Sequence, residues 1–162
     1  MDICRLVRTP RAFPQKVAHA LVEVRQPNRT MEDTVISVSV SVDVPSLEEG
    51  IRFYGEAFGF EKVSEPYPGV AVIHAEGAKL LLLAKGAGTT ACPAPGATRH
   101  YDRHWTPVHV DFHVDEFRRA LARAIAAGAT QEKLFEVAGR PSVAFCSDPF
   151  GHGFCLIESR KR

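Results

Sequence analysis

The sequence predicts an α+β fold built from two similar modules, each with one strand, one helix and three further strands. Two observations support this fold class. A segment in which apolar and polar residues alternate strictly begins at Ile36, and a second one begins at Pro107. Each segment is followed by a helical pattern and then by three short strand patterns. Because a repeated pattern along a chain indicates a repeated structural unit, we expect the two halves to fold alike.

The first module begins with the segment Ile36–Val44, ISVSVSVDV, in which Ile and Val share one face and Ser and Asp share the other. Ser46 and Glu49 have the spacing of a capping box, so we expect a helix to begin at Ser46. Gly59 stands where this helix would end. The apolar face of the helix is predicted to comprise Leu47, Ile51, Tyr54 and Phe58. The three following strands are predicted at Glu61–Glu65, Val70–Glu76 and Lys79–Ala84.

The second module repeats this order, starting with the alternating strand Pro107–Val114, PVHVDFHV. Asp115 is the predicted N-cap of the following helix, and Gly128 ends that helix. The apolar face of this helix is predicted to comprise Phe117, Leu121, Ala124 and Ile125. The remaining strands are predicted near Gln131–Val137, Ser142–Cys146 and Phe154–Glu158. The residues Asp148-Pro149-Phe150-Gly151-His152 predict a hairpin turn between the last two strands.

The composition is that of a soluble globular protein, because 45% of the 162 residues are hydrophobic and 24% are charged. The net charge of +1 argues against nucleic acid as a partner, since phosphate binding needs a concentrated basic surface. No apolar run is long enough to predict a membrane span. The four cysteines have neither zinc-finger spacing nor the density of a disulfide framework, which favours a cytoplasmic location.

The charge distribution and the repeat predict four parts of the chain. Residues 1–30 carry six basic and two acidic side chains without a clear period, and we expect a poorly ordered basic extension that is dispensable for folding. The first module spans residues 31–85 and the second spans residues 107–162. Residues 86–106 form a linker, which is either a functional loop or a plain connection.

The polar face of the strand Pro107–Val114 presents imidazole, carboxylate and imidazole groups, and it either lines a pocket or meets water. The residues are His109, Asp111 and His113. His109 and His113 lie about 13 Å apart along a strand, too far to bind one ion together. His109 and Asp111 are close enough to share a site, either as candidate catalytic residues or with Asp111 only orienting His109. On the first strand, Ser39 and Ser41 offer hydroxyls that suit a neutral or weakly polar ligand.

Three segments resemble the vicinal oxygen chelate superfamily, which includes glyoxalases, bleomycin-resistance proteins and extradiol dioxygenases. They are VDVPSLEEGIRFYGEAFGF (42–60), HVDFHVDEFRRALARAIAAGA (109–129) and AFCSDPFGHGFCLIE (144–158). The resemblance covers residues 35–158 and implies one glyoxalase-like domain. In it, two βαβββ modules form a cup-shaped, curved mixed sheet with the helices outside. The resemblance also implies a homodimer, or a pseudo-dimer within one chain.

The resemblance also implies where a metal would be bound. Metal-dependent members place one ligand on the first strand and one on the last strand of each module, usually His or Gln on the former and Glu on the latter. These positions correspond here to Ser39, His109, Leu81 and Cys155. Only His109 is a ligand of the usual type, and a single imidazole cannot hold a divalent ion.

Two functions follow from the resemblance. The first is a small-molecule-binding protein of the bleomycin-resistance type with a degenerate metal site, which would hold a small organic ligand in the cup. The alternative is a lyase, isomerase or dioxygenase of the glyoxalase type that uses His109 with a non-standard ligand set and a divalent metal.

Other residues would complete such a site if they lie close to His109. Cys146 and Cys155 flank the closing hairpin, where they would form a soft donor set with His109, a reversible disulfide, or merely two small buried residues. His74 and Glu76 share a face of a first-module strand, which is either inside the cup or a solvated edge.

Residues 99–105, RHYDRHW, bring cations and aromatic rings to the second module. They would stack on a planar ligand or pair with a carboxylate, or else form an exposed linker or a dimer contact. The predicted ligand-binding residues are Ser39, Ser41, His74, Glu76, Trp105, His113 and Cys155.

Overall fold

The computed structural model describes residues 37–159. The chain divides into two units, residues 1–37 and residues 38–162, and almost all described residues belong to the second. The predicted basic extension, residues 1–30, lies outside the described residues. Within the described range, no helix is long and apolar enough to span a membrane.

Two four-stranded mixed sheets and two helices make up the described part of the chain. The elements of the first half are β1 (Val40–Val44), α1 (Leu47–Phe58), β2 (Glu61–Tyr67), β3 (Val70–Ala75) and β4 (Ala78–Ala84). Those of the second half are β5 (Val110–Val114), α2 (Phe117–Ala126), β6 (Thr130–Phe135), β7 (Val143–Ser147) and β8 (Gly153–Glu158). The predicted α+β fold class with two βαβββ modules is confirmed.

The two sheets have the same topology. Their strand orders are β1-β4-β3-β2 and β5-β8-β7-β6. In each sheet the first strand pairs in parallel with the last, and the other neighbours are antiparallel. As a result, β1 and β5 are edge strands, which leaves one side of each without a ladder partner in the described range.

Local sequence signals set both ends of α1. The Ser46 hydroxyl accepts a hydrogen bond from the backbone N–H of Glu49 at 3.1 Å, as expected of an N-cap. Gly59 ends the helix at φ +77°, a left-handed conformation that favours glycine. The most buried large side chain of the helix is Phe53, which the predicted apolar face omits, and Phe58 is only half-buried.

Helix α2 differs from its prediction at its N-terminus and on one face, whereas Gly128, at φ +113° just after the C-cap Ala127, ends it as predicted. Its N-cap residue is Glu116 rather than Asp115, without a side-chain capping bond, and its last residue is Ala126. The side chain of Ile125 is 44% exposed, whereas Ala120 is buried. The reason is helical spacing, since the buried residues Phe117, Ala120, Leu121 and Ala124 follow one another at i, i+3, i+4 and i+7, which leaves Ile125 at the edge of this face.

Both modules contribute to one continuous hydrophobic core. Phe53 on α1 is fully buried and meets the Phe150 ring of the closing hairpin at a centroid distance of 6.1 Å. Phe58, also on α1, stacks on Phe112 of β5 at 4.2 Å, with only 16° between the ring planes. Burying an aromatic ring contributes roughly 1.5–3 kcal/mol, so these contacts hold α1 against the second module.

The connection 86–106 is docked on both modules. Its first part folds back on itself, with a bridge between Thr90 and Thr98. The Arg99 guanidinium then donates to the Asp43 carboxylate of β1 at 2.6 Å. Further along, the backbone N–H of His104 donates to the Gly151 carbonyl of the hairpin at 3.2 Å. The linker therefore has a fixed path between the two sheets.

Candidate functional site

A cavity of about 700 Å³ lies between the two edge strands β1 and β5. Its volume falls in the range of small-molecule sites, about 300–1,000 Å³. Aliphatic and aromatic side chains form much of its wall: Val40, Val42, Leu80, Val108, Val110, Phe112 and Phe154. Its polar lining residues are Ser41, Asp43, Tyr54, His104, Thr106, His109, Asp111, Asp148 and His152. An apolar cavity with a few polar groups is the usual environment of a small organic ligand.

A second cavity of about 250 Å³ shares His109 with the first. Trp105, which is 81% exposed, lines this smaller cavity together with Phe145, Cys155 and Glu132. His109 therefore lies at the boundary between the two cavities.

His109, Asp111 and Cys155 form a compact cluster at this boundary. The Nε2 atom of His109 lies 3.0 Å from Oδ1 of Asp111. Asp111 and Cys155 are direct neighbours across the β5–β8 ladder. One nitrogen, one oxygen and one sulfur atom, each able to bind a metal, all lie within 4.8 Å of one another. The alternation of β5 accounts for this grouping, because it turns Asp111 toward the same face as Cys155 on the neighbouring strand.

The thiol of Cys155 is protonated at neutral pH. Burial and the neighbouring Asp111 carboxylate raise its pKa to about 11. The same carboxylate accepts a hydrogen bond from the thiol, so Asp111 contacts both the His109 imidazole and the Cys155 sulfur. A metal ion that displaced the thiol proton would convert this cluster into a mixed N, O, S ligand set.

Cys146 does not complete this cluster. It pairs with Phe154 across the β7–β8 ladder, whereas Cys155 pairs with Phe145. This offset of one residue places the two cysteines on opposite faces of the sheet. Cys146 is 1% exposed in the hydrophobic core, and both thiols are free. The predicted set of Cys146, Cys155 and His109 is therefore wrong, and so is the disulfide.

A buried hydrogen bond joins the two modules beneath the larger cavity. The Tyr54 hydroxyl of α1 donates to Oδ2 of Asp148 at 2.9 Å. The other carboxylate oxygen accepts from the backbone N–H groups of Phe150 and His152, each at 2.9 Å. Burial raises the pKa of Asp148, an effect that His152 and the three hydrogen bonds partly offset. Burial also raises the pKa of Tyr54 well above its ordinary value.

The other residues singled out from the sequence lie at several places. Ser41 lines the larger cavity, while Ser39 is exposed just before β1. His74 is exposed on β3 and faces away from the core, since its neighbours Ile73 and Ala75 pack toward the helices. Glu76 lies in the turn after β3, and His113 is exposed on β5. Of these four exposed residues, Ser39, His74, Glu76 and His113, none lines either of the two cavities.

The two modules have equivalent ladders, which allows the implied metal positions to be compared directly. The pair Ser41–Leu81 occupies the same place in the first sheet as the pair Asp111–Cys155 in the second. Leu81 is 4% exposed and supplies no donor atom. A four-donor site that draws on both modules therefore does not fit these residues.

The linker cations are occupied by carboxylates of the chain itself. Arg99 pairs with Asp43, and Arg103 pairs with Glu132 through two hydrogen bonds. The hydrogen bond from Arg103 lowers the pKa of Glu132. Arg99 and Arg103 thus attach the linker to β1 and β6, while His104 and Thr106 of the linker line the larger cavity.

Three residues of the site were not predicted from the sequence, namely Tyr54, Asp148 and His152. The sequence places Tyr54 on the apolar face of α1, and it places Asp148 and His152 in the D-P-F-G-H turn. That turn is the only sequence signal for Asp148 and His152, and it predicts a hairpin rather than a site.

Comparison with known proteins agrees with this architecture. The family model described as glyoxalase-like domain matches residues 39–157. No protein with a curated description matches the chain. Among solved structures, the fosfomycin resistance protein FosX from Listeria monocytogenes superposes with a TM-score of 0.59 at 15% identity, covering 79% of this chain and 96% of its own.

Two further solved structures show the same fold. A glyoxalase-related enzyme from Fulvimarina pelagi has a TM-score of 0.55 at 18% identity, with 76% of this chain and 88% of its own covered. Lactoylglutathione lyase from Agrobacterium tumefaciens has a TM-score of 0.52 at 17% identity, with 78% and 95% covered. Identities this low establish the fold alone. Because the family model spans most of the sequence, the chain belongs to the glyoxalase-like domain family within the vicinal oxygen chelate superfamily.

Proposed function

We propose that this protein binds a small organic molecule in the cavity between β1 and β5. The observation that carries the proposal is the cavity itself, about 700 Å³ of mostly apolar wall with polar groups at defined positions. Ser41, His109 and Asp111 would hydrogen-bond the ligand, which fits an uncharged molecule with an apolar body. Two of the structural neighbours, a fosfomycin resistance protein and a lactoylglutathione lyase, are named after small molecules, in keeping with this proposal.

A pair of variants tests the cavity. Val40 on β1 is 37% exposed and lines the cavity, so Val40→Phe would fill part of it without overpacking the core. Val63 on β2 is 65% exposed and lines neither cavity, which makes Val63→Phe the matched control. Both variants add a phenyl ring to an exposed strand position.

The measurement is saturation-transfer NMR with a library of neutral aromatic and heterocyclic fragments. We expect a subset of fragments to bind the wild type and Val63→Phe, and to lose binding in Val40→Phe. Fragments that bind all three proteins equally, or no fragment binding at all, would count against this cavity as the ligand site.

A second candidate function rests on the cluster His109–Asp111–Cys155. Its three donor atoms within 4.8 Å favour an enzyme of the lyase or isomerase type with a non-standard ligand set, in which a zinc-class ion would be held by imidazole, carboxylate and thiolate. Such an ion would supply Lewis-acid polarisation of a ligand oxygen. His109 and Asp111 lie on the wall of the larger cavity, where they would position that oxygen.

Elemental analysis of protein purified without chelators separates the two candidates. The enzyme candidate predicts stoichiometric metal that is lost in Cys155→Ala and in His109→Ala. The binding-protein candidate predicts that fragment binding is the same before and after treatment with a chelator. We also propose a homodimer, for which light scattering in solution is the direct measurement.

A further inference from the structure

Two large aromatic side chains that are open to solvent line the smaller cavity of about 250 Å³. Trp105 belongs to the linker and is mostly exposed, and Phe145 belongs to β7 and is 41% exposed. Large aromatic side chains are normally covered in a folded protein, and exposed ones at a concave surface are typical of binding sites. The two rings therefore point to a ligand group with an apolar, planar surface.

The strand register places Phe145 on the same side of the sheet as the His109–Asp111–Cys155 cluster. Phe145 pairs with Cys155 across the β7–β8 ladder, and Cys155 pairs with Asp111 across the β5–β8 ladder. Side chains of residues that pair directly in neighbouring strands lie on one face of the sheet. A planar group bound against Phe145 would thus lie next to this cluster.

The smaller cavity has the size of a subsite rather than of a complete ligand site. Sites for small organic molecules measure about 300–1,000 Å³, and this cavity is below that range. It shares part of its wall with the larger cavity, because Thr106, His109, Gly153 and Phe154 line both. The two cavities together therefore form a site with two compartments that meet at His109.

The charges that line the smaller cavity are balanced within the chain. The Arg103 guanidinium donates to both carboxylate oxygens of Glu132 and also to the backbone carbonyl of His104. The Glu132 carboxylate accepts a further hydrogen bond from the Ser147 side chain. The Cys155 thiol is protonated at neutral pH, since its pKa is raised to about 11. An ion pair and a neutral thiol favour an uncharged ligand group over a charged one.

His109 indicates which polar group of a ligand suits the junction of the two compartments. Its Nε2 atom lies 3.0 Å from Oδ1 of Asp111, and because a carboxylate only accepts hydrogen bonds, Nε2 carries the proton. In a neutral imidazole the other nitrogen, Nδ1, is then an acceptor. The His109 side chain is 49% exposed, so a ligand can approach it. An amide between the planar group and the rest of the ligand would supply a matching N–H donor.

We propose that the ligand is an uncharged aromatic amide, whose ring lies against Trp105 and Phe145 in the smaller cavity. Its amide contacts His109, and its apolar body extends into the larger cavity. This inference rests on the proposed function, because the apolar body occupies the cavity described there. Aromatic rings that pack on each other gain affinity beyond the area they bury, which gives the ring a specific contribution to binding.

The test uses three probes in the presence of a chelator, so that metal binding at the His109 cluster does not interfere. Benzamide carries the ring and the amide, N-cyclohexylacetamide carries the amide and an apolar body, and N-cyclohexylbenzamide carries all three parts. The chain has one tryptophan, so the indole N–H signal of Trp105 in proton–nitrogen NMR reports on the smaller cavity. We expect both ring-bearing probes to shift this signal and N-cyclohexylbenzamide to bind most tightly.

A matched pair of variants tests the aromatic wall. Phe145→Leu is expected to weaken the binding of both ring-bearing probes about tenfold, because it removes one of the two rings. Phe135→Leu is the control, since Phe135 is 39% exposed on the neighbouring strand β6 and lines neither cavity. Nuclear Overhauser contacts from the probe ring to Trp105 and Phe145 in the wild type give a readout that does not depend on the folding of the variants.

The inference is overturned if neither ring-bearing probe shifts the Trp105 signal, or if Phe145→Leu and Phe135→Leu weaken binding equally. Val40→Phe distinguishes this failure from that of the proposed function. A cyclohexyl group that adds affinity in the wild type and none in Val40→Phe supports the larger cavity, whatever the ring does. Benzamide binding that depends on Phe145, without any gain from the cyclohexyl group, supports the aromatic subsite and contradicts the larger cavity as the place of the ligand body.

Discussion

Gly151 of the closing hairpin lies against the backbone of Asp102 in the linker. A Cβ atom added at Gly151 would be 2.1 Å from the Asp102 carbonyl oxygen, far inside van der Waals contact. Gly151 also has φ +85°, a conformation that strains other residues. The glycine therefore permits the close approach that brings His104 beside His152.

Gly151→Ala is expected to destabilise the fold and to release the linker. The positive φ alone costs about 1–3 kcal/mol, and the backbone clash adds to this. Gly77→Ala is the matched control, because Gly77 has φ +76° with nothing within 4 Å of the added Cβ. Urea unfolding should show a clearly larger loss for Gly151→Ala, and equal losses would refute the clash.

Tyr54→Phe is expected to lower the free energy of unfolding by about 1–3 kcal/mol at neutral pH, because it removes one hydrogen-bond donor from the buried Asp148 carboxylate. The pH dependence follows from the raised pKa of Asp148. A carboxyl with a raised folded pKa lowers stability as pH rises from its unfolded pKa through its folded pKa. Losing the Tyr54 hydroxyl raises the folded pKa further, so the deficit of the variant should grow over this range.

Stability measured in urea at several pH values, from acid to neutral, checks this expectation. Tyr101→Phe is the control, because the Tyr101 hydroxyl donates at 2.5 Å to the carbonyl oxygen of Lys85, which does not titrate. A deficit in Tyr54→Phe that did not change with pH would contradict the expectation, because it would show that the Tyr54 hydroxyl does not affect the titration of Asp148 over this range.

The cysteines should differ widely in alkylation. Burial raises the pKa of both Cys146 and Cys155 to about 11, whereas Cys92 is exposed. Only the thiolate reacts, so at pH 8 a shift from 9.0 to about 11 lowers the reactive fraction about a hundredfold. Peptide-level mass spectrometry after iodoacetamide treatment should find Cys92 modified before Cys146 and Cys155.

A charge variant refines this prediction. Asp111→Asn removes a negative charge that raises the pKa of Cys155, so alkylation of Cys155 should accelerate. Cys146 serves as the internal control, because Asp111 is not among the groups that raise its pKa. If the alkylation rates of Cys146 and Cys155 rose together, the substitution would be acting by loosening the packing around both thiols.

Phe112→Ala should weaken the contact between the modules, because it removes the ring that stacks on Phe58 at 4.2 Å. We expect a loss of about 2–4 kcal/mol, less than for a fully buried ring. Phe135→Ala is the control, because Phe135 is 39% exposed at the sheet surface and should cost about 1 kcal/mol or less. Thermal unfolding measured side by side gives the comparison, and similar losses would argue against the stack as a contact between modules.

The elements of the fold could be predicted where the signals are local. The Ser46 cap and Gly59 define α1 through contacts within a few residues, and the alternation in Val110–Val114 is visible in the letters themselves. The same alternation predicted that His109 and Asp111 share a site. By contrast, the prediction of Asp115 as a cap is wrong, because the helix begins one residue later and its N-cap Glu116 makes no side-chain capping bond.

The rest of the site depends on contacts that no local pattern encodes. Tyr54 and Asp148 are 94 residues apart, and their contact exists only because α1 packs on the second module. The partner of His152 is a backbone carbonyl, which every residue offers and no sequence motif marks. An offset of one residue in the β7–β8 ladder places Cys146 and Cys155 on opposite faces of the sheet. The length of the turn alone does not determine that offset.

The path of the linker separates the part of the chain that can vary in length from the part that cannot. Its outer segment, residues 91–97, returns to a point where Arg99 is anchored to Asp43, before the chain reaches His104. Residues inserted in this outer segment would therefore lengthen a surface loop and leave the cavity wall in place. Residues inserted after Arg99 would shift His104 and Thr106 and reshape the cavity while both sheets stay intact. The shape of the cavity can thus be altered by insertions at a single short stretch of the linker.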